Sequence, residues 1–160
     1  MVDGSDVPDE RRHRGVDDPE EFEMKYMILS YASQQDYDGM VGKESGKPAW
    51  SREEFEAMAA FMTEFNGKLE AAGELVETRG LVEPVHTRRI GAKNGELFVT
   101  DGPYAETQEV LAGYWIVECE SFDRATEIAS ELKNCPAPAH LIDLEYVDVR
   151  PLADAAPDFD

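Results

Sequence analysis

A single long, well-capped helix lying between two strand-length apolar runs constrains this chain more than any other feature. Ser51 and Glu54 stand at capping-box spacing, where each side chain satisfies the other's backbone N–H, and Trp50 and Phe55 occupy the two positions of a hydrophobic staple. Phe55, Met58, Met62, Phe65 and Leu69 then recur at spacings of three and four, which places them along one helical face, and Gly73 supplies the left-handed stop. An amphipathic helix of this kind is held by what its apolar face covers rather than by propensity. The sequence offers strands for it to cover. Lys25 to Tyr31 has an unbroken hydrophobic middle, as in a central strand buried on both faces, and Glu74 to Leu81 returns as a second strand. The stretch from Ser33 to Pro48 has no apolar period and predicts a long loop of the kind that borders a site.

Beyond Leu81 the alternation continues. Arg88-Arg89-Ile90 and Leu97-Phe98-Val99 flank Asn94-Gly95, a pair suited to the positive φ angles of a type I′ turn, so a hairpin is predicted there. Gly113 to Cys119 reads as a further strand. A second helix starts near Ser121, carries Ala125, Ile128, Ala129 and Leu132 on one face, and stops by Pro136. In the closing segment the apolar phase shifts from Ile142, Leu144 and Tyr146 to Val147 and Val149, which predicts a strand with a bulge near Tyr146. This order is an α+β, ferredoxin-like split βαβ sandwich with an inserted β-hairpin, two helices on one face of an antiparallel sheet. The other face, with Val76, Thr78, Tyr114, Ile116 and the apolar groups of the last strand, would stay wet in a lone subunit, so a homodimer is expected. The domain spans 24–152. Residues 1–23 hold few periodic apolar positions and predict a flexible acidic tail, and 153–160 predict a second tail.

Charge narrows the partners. The chain has 35 acidic residues against 15 basic ones, a formal net charge of -20. Phosphate backbones need clustered Lys and Arg, and the one dense basic group, Arg11-Arg12-His13-Arg14, sits in an acidic tail, so neither nucleic acid nor an anionic membrane is an expected partner. No run approaches the roughly 20 apolar residues of a spanning helix, and the N-terminus lacks the apolar core of a secretory signal. Cys119 and Cys135 lack metal spacing and are too few for a disulfide framework, which fits a reduced, cytoplasmic chain. No phosphate-loop pattern opens either helix, and the isolated His86 and His140 form no metal-binding or catalytic unit, so neither a metal nor a cofactor is expected.

Chemistry-bearing residues concentrate in one place. Asp101-Gly102-Pro103-Tyr104-Ala105-Glu106-Thr107, then Glu109 and Leu111-Ala112-Gly113-Tyr114, put three carboxylates and two phenols into a turn and a strand entry. Asp101 has two readings. Asp-Gly-Pro is good turn chemistry, with the carboxylate accepting local N–H bonds. Alternatively Asp101 and Glu109, held close and out of water, form a general acid or base working near neutral pH, a part that Glu106 serves equally well. Thr100 and Thr107 lack an evident activating base, which disfavours covalent catalysis. Arg89 and Arg150 either anchor an anionic substrate or pair with nearby acids. Tyr31, Tyr104 and Tyr114, with Tyr26 and Trp115, either wall a binding pocket or fill the core.

The same segment resembles the signature of the DGPF-type branch of the YCII-related family, in which a hairpin strand ends in Asp-Gly-Pro-Phe and leads through Ala-Glu-Thr and a Glu to a glycine-aromatic strand. Tyr104 stands where Phe is usual. Met24-Lys25-Tyr26-Met27, Ala72-Gly73 and Val149-Arg150-Pro151-Leu152 carry the resemblance over nearly all of 24–152. The resemblance implies a ferredoxin-like fold that dimerises through its sheets, with a small-ligand pocket near the dimer seam lined by the signature turn. The wider superfamily includes enzymes of small aromatic or lactone compounds, among them a dehydrochlorinase, but the resemblance implies no settled activity; the acid-rich turn beside aromatic strands is what leads to the expectation of a cofactor-free enzyme of proton transfer, isomerisation or elimination. Branch members encoded or fused beside sigma factors imply the alternative, a non-catalytic ligand-binding or regulatory module with a sigma-factor partner. The family's proposed catalytic His belongs to the first helix. Between Ser51 and Gly73 this chain has no His, so that residue does not carry over.

Overall fold

Two aromatic strands paired side by side form the centre of the molecule. The computed structural model describes residues 24–142 and 145–153; the expected tails at 1–23 and from 154 onward, and Leu144 of the expected last strand, lie outside the described residues. β1 (Met24–Ala32) pairs antiparallel with β5 (Val110–Cys119), and the edges are β2 (Leu75–Gly80) beside β5 and β6 (Val147–Pro151) beside β1, giving the order β2-β5-β1-β6. β3 (Arg88–Lys93) and β4 (Glu96–Asp101) make a separate hairpin. Asn94 and Gly95 have φ of 53° and 80° at its tip, the left-handed pair that a type I′ turn requires. The fold is α+β with an antiparallel four-stranded sheet, compatible with the ferredoxin-like plan.

Side-chain alternation along β1 and β5 separates two faces. Tyr26 and Ile28 of β1 and Trp115, Val117 and Cys119 of β5 are buried against Phe65 and Leu69 of α2 (Arg52–Ala71) and against Ala125, Ile128 and Ala129 of α3 (Phe122–Ser130). Phe65 meets Trp115 edge to face at 5.7 Å, and the indole N–H donates to Asn66 at 2.8 Å, so the largest core side chain has its polar atom satisfied. Arg124 of α3 grips Glu74 through two nitrogens at 2.8 and 2.9 Å, a fork that locks α3 to the entry of β2.

Local chemistry explains the helix ends. Ser51 and Glu54 form the reciprocal capping box, with bonds of 3.1 and 2.9 Å, and Gly73 stops the chain with φ of 72°. The buried stripe of α2 is shorter than its sequence period suggests: Phe65 and Leu69 are buried, Phe61 and Met62 pack partly, and Phe55 stays exposed.

Two expectations are corrected. The loop expected from Ser33 to Pro48 contains a helix, α1 (Gln34–Met40). Its Ser33 and Asp36 form a second capping box, while Gly39 is its one buried residue, so it carries no apolar stripe for a periodicity argument to find. The last strand begins at Val147, without a bulge at Tyr146; Ile142 and Tyr146 belong to the connection before it, and Val147 and Val149 face the core in ordinary alternation. The register shifts instead between Ser30 and Tyr31 against β5, and between Leu75 and Glu77 in β2.

This arrangement predicts that Ile28→Ala, at a position with 0% exposure, lowers the unfolding free energy by about 3 kcal/mol. Ser33→Ala, which removes the cap of α1, lowers it by about 1 kcal/mol. Urea denaturation followed by far-UV circular dichroism measures both.

Candidate functional site

A cleft lies at the end of β1, beside a register shift. Past Ser30, which pairs with Gly113, Tyr31 pairs with Leu111 and skips Ala112, and the pairing of the two central strands ends at Ala32 and Val110, where Glu109 leads into β5. Tyr31 and Ala32 from β1, Asp36 and Met40 from α1, and Glu109 line one side of a cavity of about 200 Å³. Lys47 and Trp50, on the approach to α2, and Leu141, Glu145 and Tyr146, on the approach to β6, close the rest. Two backbone bonds hold α1 in place: Gln35 N–H donates to Glu106 C=O at 3.0 Å, and Trp50 N–H donates to Gly39 C=O at 2.9 Å, which tucks the Trp50 ring in at 8% exposure.

The polar groups of the cleft are mostly spoken for. Asp36 accepts from the Ser33 N–H at 2.9 Å and faces Lys47 Nζ at 3.4 Å. Tyr146 O–H donates to Glu109 at 3.2 Å, and Tyr31 O–H donates to Asp148 at 2.8 Å; those hydrogen bonds raise both phenol pKa values, burial adding to them, so both phenols stay protonated. Their rings stand 5.6 Å apart at 32°, an aromatic wall. Glu145 differs from the others. The residue as a whole is exposed and lines both this cleft and a neighbouring one, and among the described residues its side chain has no hydrogen bond or ion pair. Burial raises its pKa, and the like charge of Asp36 raises it further. Nearby, burial and then the charge of Glu145 push the Cys135 thiol up to about 11, which leaves it unreactive at neutral pH.

The residues singled out by sequence divide among three places. Tyr31 and Glu109 line the cleft. The signature turn lies beside it: Asp101 is exposed at the end of β4 and pairs with Arg88 at 2.7 Å, Arg89 lies over the Tyr104 ring at 5.2 Å, and Glu106 is exposed while its carbonyl caps α1. Gly102, at φ 57°, donates its N–H to Thr87 at 2.8 Å and closes the hairpin base. Tyr114 and Arg150 project from the helix-free face of the sheet, where Tyr114 O–H donates to Glu77 at 3.0 Å. His86 pairs with Glu83 at 3.2 Å, and neither it nor His140 lines the cleft. Sequence reasoning missed Asp36, Lys47, Trp50, Glu145 and Tyr146. Only the Ser33 and Asp36 capping spacing was a local signal.

Other clefts are larger and chemically plainer. One of about 390 Å³ runs between α3 and β6 with Lys133 and Glu145 as its charged groups, and another of about 270 Å³ lies along α2 at Phe61 and Lys68. Among the described residues no group of three or more His, Cys, Asp or Glu side chains has the geometry to hold a metal ion, and no helix is long and apolar enough to cross a membrane.

Comparison with known proteins adds two findings. Residues 24–150 match the YCII-related domain. An uncharacterised protein of Rhizobium meliloti (strain 1021) is 35% identical over 111 residues, which cover 69% of this chain and 82% of that relative.

The raised pKa of Glu145 has a measurable consequence. The folded chain holds this proton more tightly than the unfolded chain, so the group's contribution to stability is full below the unfolded glutamate value and is lost as pH rises through the folded one. Glu145→Gln, which cannot ionise, therefore raises the thermal midpoint at neutral pH and leaves it near wild type below about pH 4. Thermal melts of the two proteins across that range check the sign.

Proposed function

The chain belongs to the YCII-related family, and on that premise we propose that it is a small-ligand protein of the DGPF-type branch. It acts as a homodimer, binds its ligand in the cleft at Tyr31, Glu109, Glu145 and Tyr146, and performs cofactor-free proton transfer of the kind used in isomerisation or elimination. The observation that carries this reading is Glu145, a carboxyl group with raised proton affinity facing a cavity and an aromatic wall. A general base needs such a group, poised nearer neutral pH than an ordinary carboxylate and within reach of substrate. Glu109, bonded to the Tyr146 phenol, orients the wall. Asp101, Arg89, Tyr104 and Glu106 then act as positioning residues: the Arg88 pair, the guanidinium over the ring and the carbonyl on α1 together set where Glu109 stands. For a substrate found by turnover screening, Glu145→Gln lowers kcat about a hundredfold, whereas Asp101→Asn changes it less than about tenfold. Full turnover by Glu145→Gln removes the assignment.

The helix-free face of the sheet supports pairing with a second copy. Across it run two rows of directly opposed residues, Glu77, Ile116, Met27, Arg150 and Arg79, Tyr114, Leu29, Asp148. Each row is apolar in the middle and charged at the edges, and the signs reverse from one row to the next. A two-fold axis in the plane of the sheet, along or across the strands, sets acids of one copy opposite bases of the other and buries the apolar centre. Tyr31 lies at the end of the same face, so this pairing brings the cleft to the seam, with Arg150 and Tyr114 beside it. Sedimentation equilibrium is expected to show a dimer, and Leu29→Glu a monomer; a monomeric wild type at high concentration contradicts the pairing.

A second reading rests on the β3–β4 hairpin. Its Ile90, Leu97 and Val99 are 65%, 73% and 54% exposed, an apolar stripe that a protein partner would cover. On a chain of net charge -20 the fitting partner is a basic protein surface, such as that of a sigma factor, met by a non-catalytic module.

A further inference from the structure

We infer that the cleft at the end of the central strands is built for a small organic cation, an ammonium group carried on an apolar or aromatic body. The inference rests on the cleft being the ligand site. Three carboxylates face it, Asp36, Glu109 and Glu145, against the single ammonium of Lys47. Their partners decide what is missing. Lys47 and the Ser33 N–H already serve Asp36, and the Tyr146 hydroxyl serves Glu109, while Glu145 is unpartnered among the described residues. An anionic ligand would have to take Lys47 away from Asp36 and lie among three like charges. A neutral ligand would take still more water from Glu145 and give it nothing in return. A cation supplies the absent partner.

The walls agree with the charge. The paired Tyr31 and Tyr146 rings, the second 56% exposed, and the buried Trp50 ring offer π faces that attract cations. Ala32, Met40 and Leu141 complete an apolar lining for the body of the ligand. The volume of about 200 Å³ lies below the roughly 300 Å³ at which drug-sized sites begin, which limits the ligand to a single ring or a short alkyl chain. A bare metal ion does not suit the site, because no three of its carboxylates converge with metal-holding geometry.

Three probes of one shape separate the possibilities: benzylammonium, benzyl alcohol and benzoate, titrated at constant ionic strength into the full chain labelled with 15N. The two indole signals report location, since Trp50 lines the cleft and Trp115 lies in the core. Benzylammonium is expected to move the Trp50 indole signal saturably and to bind at least about tenfold more tightly than either other probe. Its affinity rises with pH as Glu145 ionises, above the range of an ordinary glutamate, with Asp36, Glu109 and Lys47 facing the same space. Glu145→Gln weakens it about tenfold, and Lys47→Gln, which frees Asp36, strengthens it. Benzoate or benzyl alcohol binding equally well at Trp50 overturns the cation preference and leaves the ligand cleft standing. If none of the three moves the Trp50 signal, the cation and the cleft fall together.

Discussion

The antiparallel pairing of β1 with β5 is the constraint on which the rest of the structure depends. It aligns Tyr26 and Ile28 with Val117 and Trp115, which creates the apolar face that the two helices cover. The same alternation puts Met27, Leu29, Tyr114 and Ile116 on the opposite face, apolar in the middle and charged at both edges. The place where the pairing skips Ala112 sets Tyr31 beside the approach of Glu109. Core, helix-free face and cleft are thus three outcomes of one register, and a one-residue slip would exchange the two faces along the whole of β1.

The elements legible in the sequence were those whose signal is local. The capping box at Ser51, the glycine stop at Gly73, the Asn94-Gly95 turn and the apolar runs of β1 and β5 each encode their conformation within a few residues, and each forms where expected. Helix α1 escaped because its single buried residue is a glycine, so the Ser33 cap stood without a stripe behind it. Tyr146 suggested a strand by its apolar phase, but its ring turns to Tyr31 and its hydroxyl to Glu109, contacts with residues distant along the chain. The site shows the same limit more sharply. Glu109 was legible as a candidate because it follows the signature turn, and Tyr31 because it is one of the strand tyrosines able to wall a pocket. Asp36 comes from helix α1, Lys47 and Trp50 from the connection to α2, and Glu145 from the connection to β6, and nothing in their local sequence announces that these segments meet.

Electrostatics links stability to use. A chain with 35 acidic side chains meets repulsion almost everywhere, and most of those described lie in water where it is screened. At the cleft the screening is weaker. Asp36 is paired with a lysine and accepts a helix-cap N–H, Glu109 accepts a hydrogen bond from a phenol, and Glu145 remains as a carboxylate that the fold tolerates rather than satisfies. Groups held in this way are drawn disproportionately from functional sites, because a partner that arrives from outside relieves the penalty. The exposed signature carboxylate at Asp101, by contrast, is spent on shape: its pairing with Arg88 helps to close the hairpin base from which the chain runs to Glu109.

The central claim is that the fold withdraws the Glu145 carboxyl from water beside Asp36. Its titration, followed through the side-chain carboxyl carbon by 13C NMR in the unliganded protein, tests that claim most directly. The account predicts a midpoint above the ordinary glutamate value that moves back down in Asp36→Asn, where the like charge is removed while the cavity remains. A midpoint at the ordinary value, unmoved by Asp36→Asn, would place Glu145 in open solvent and contradict the account.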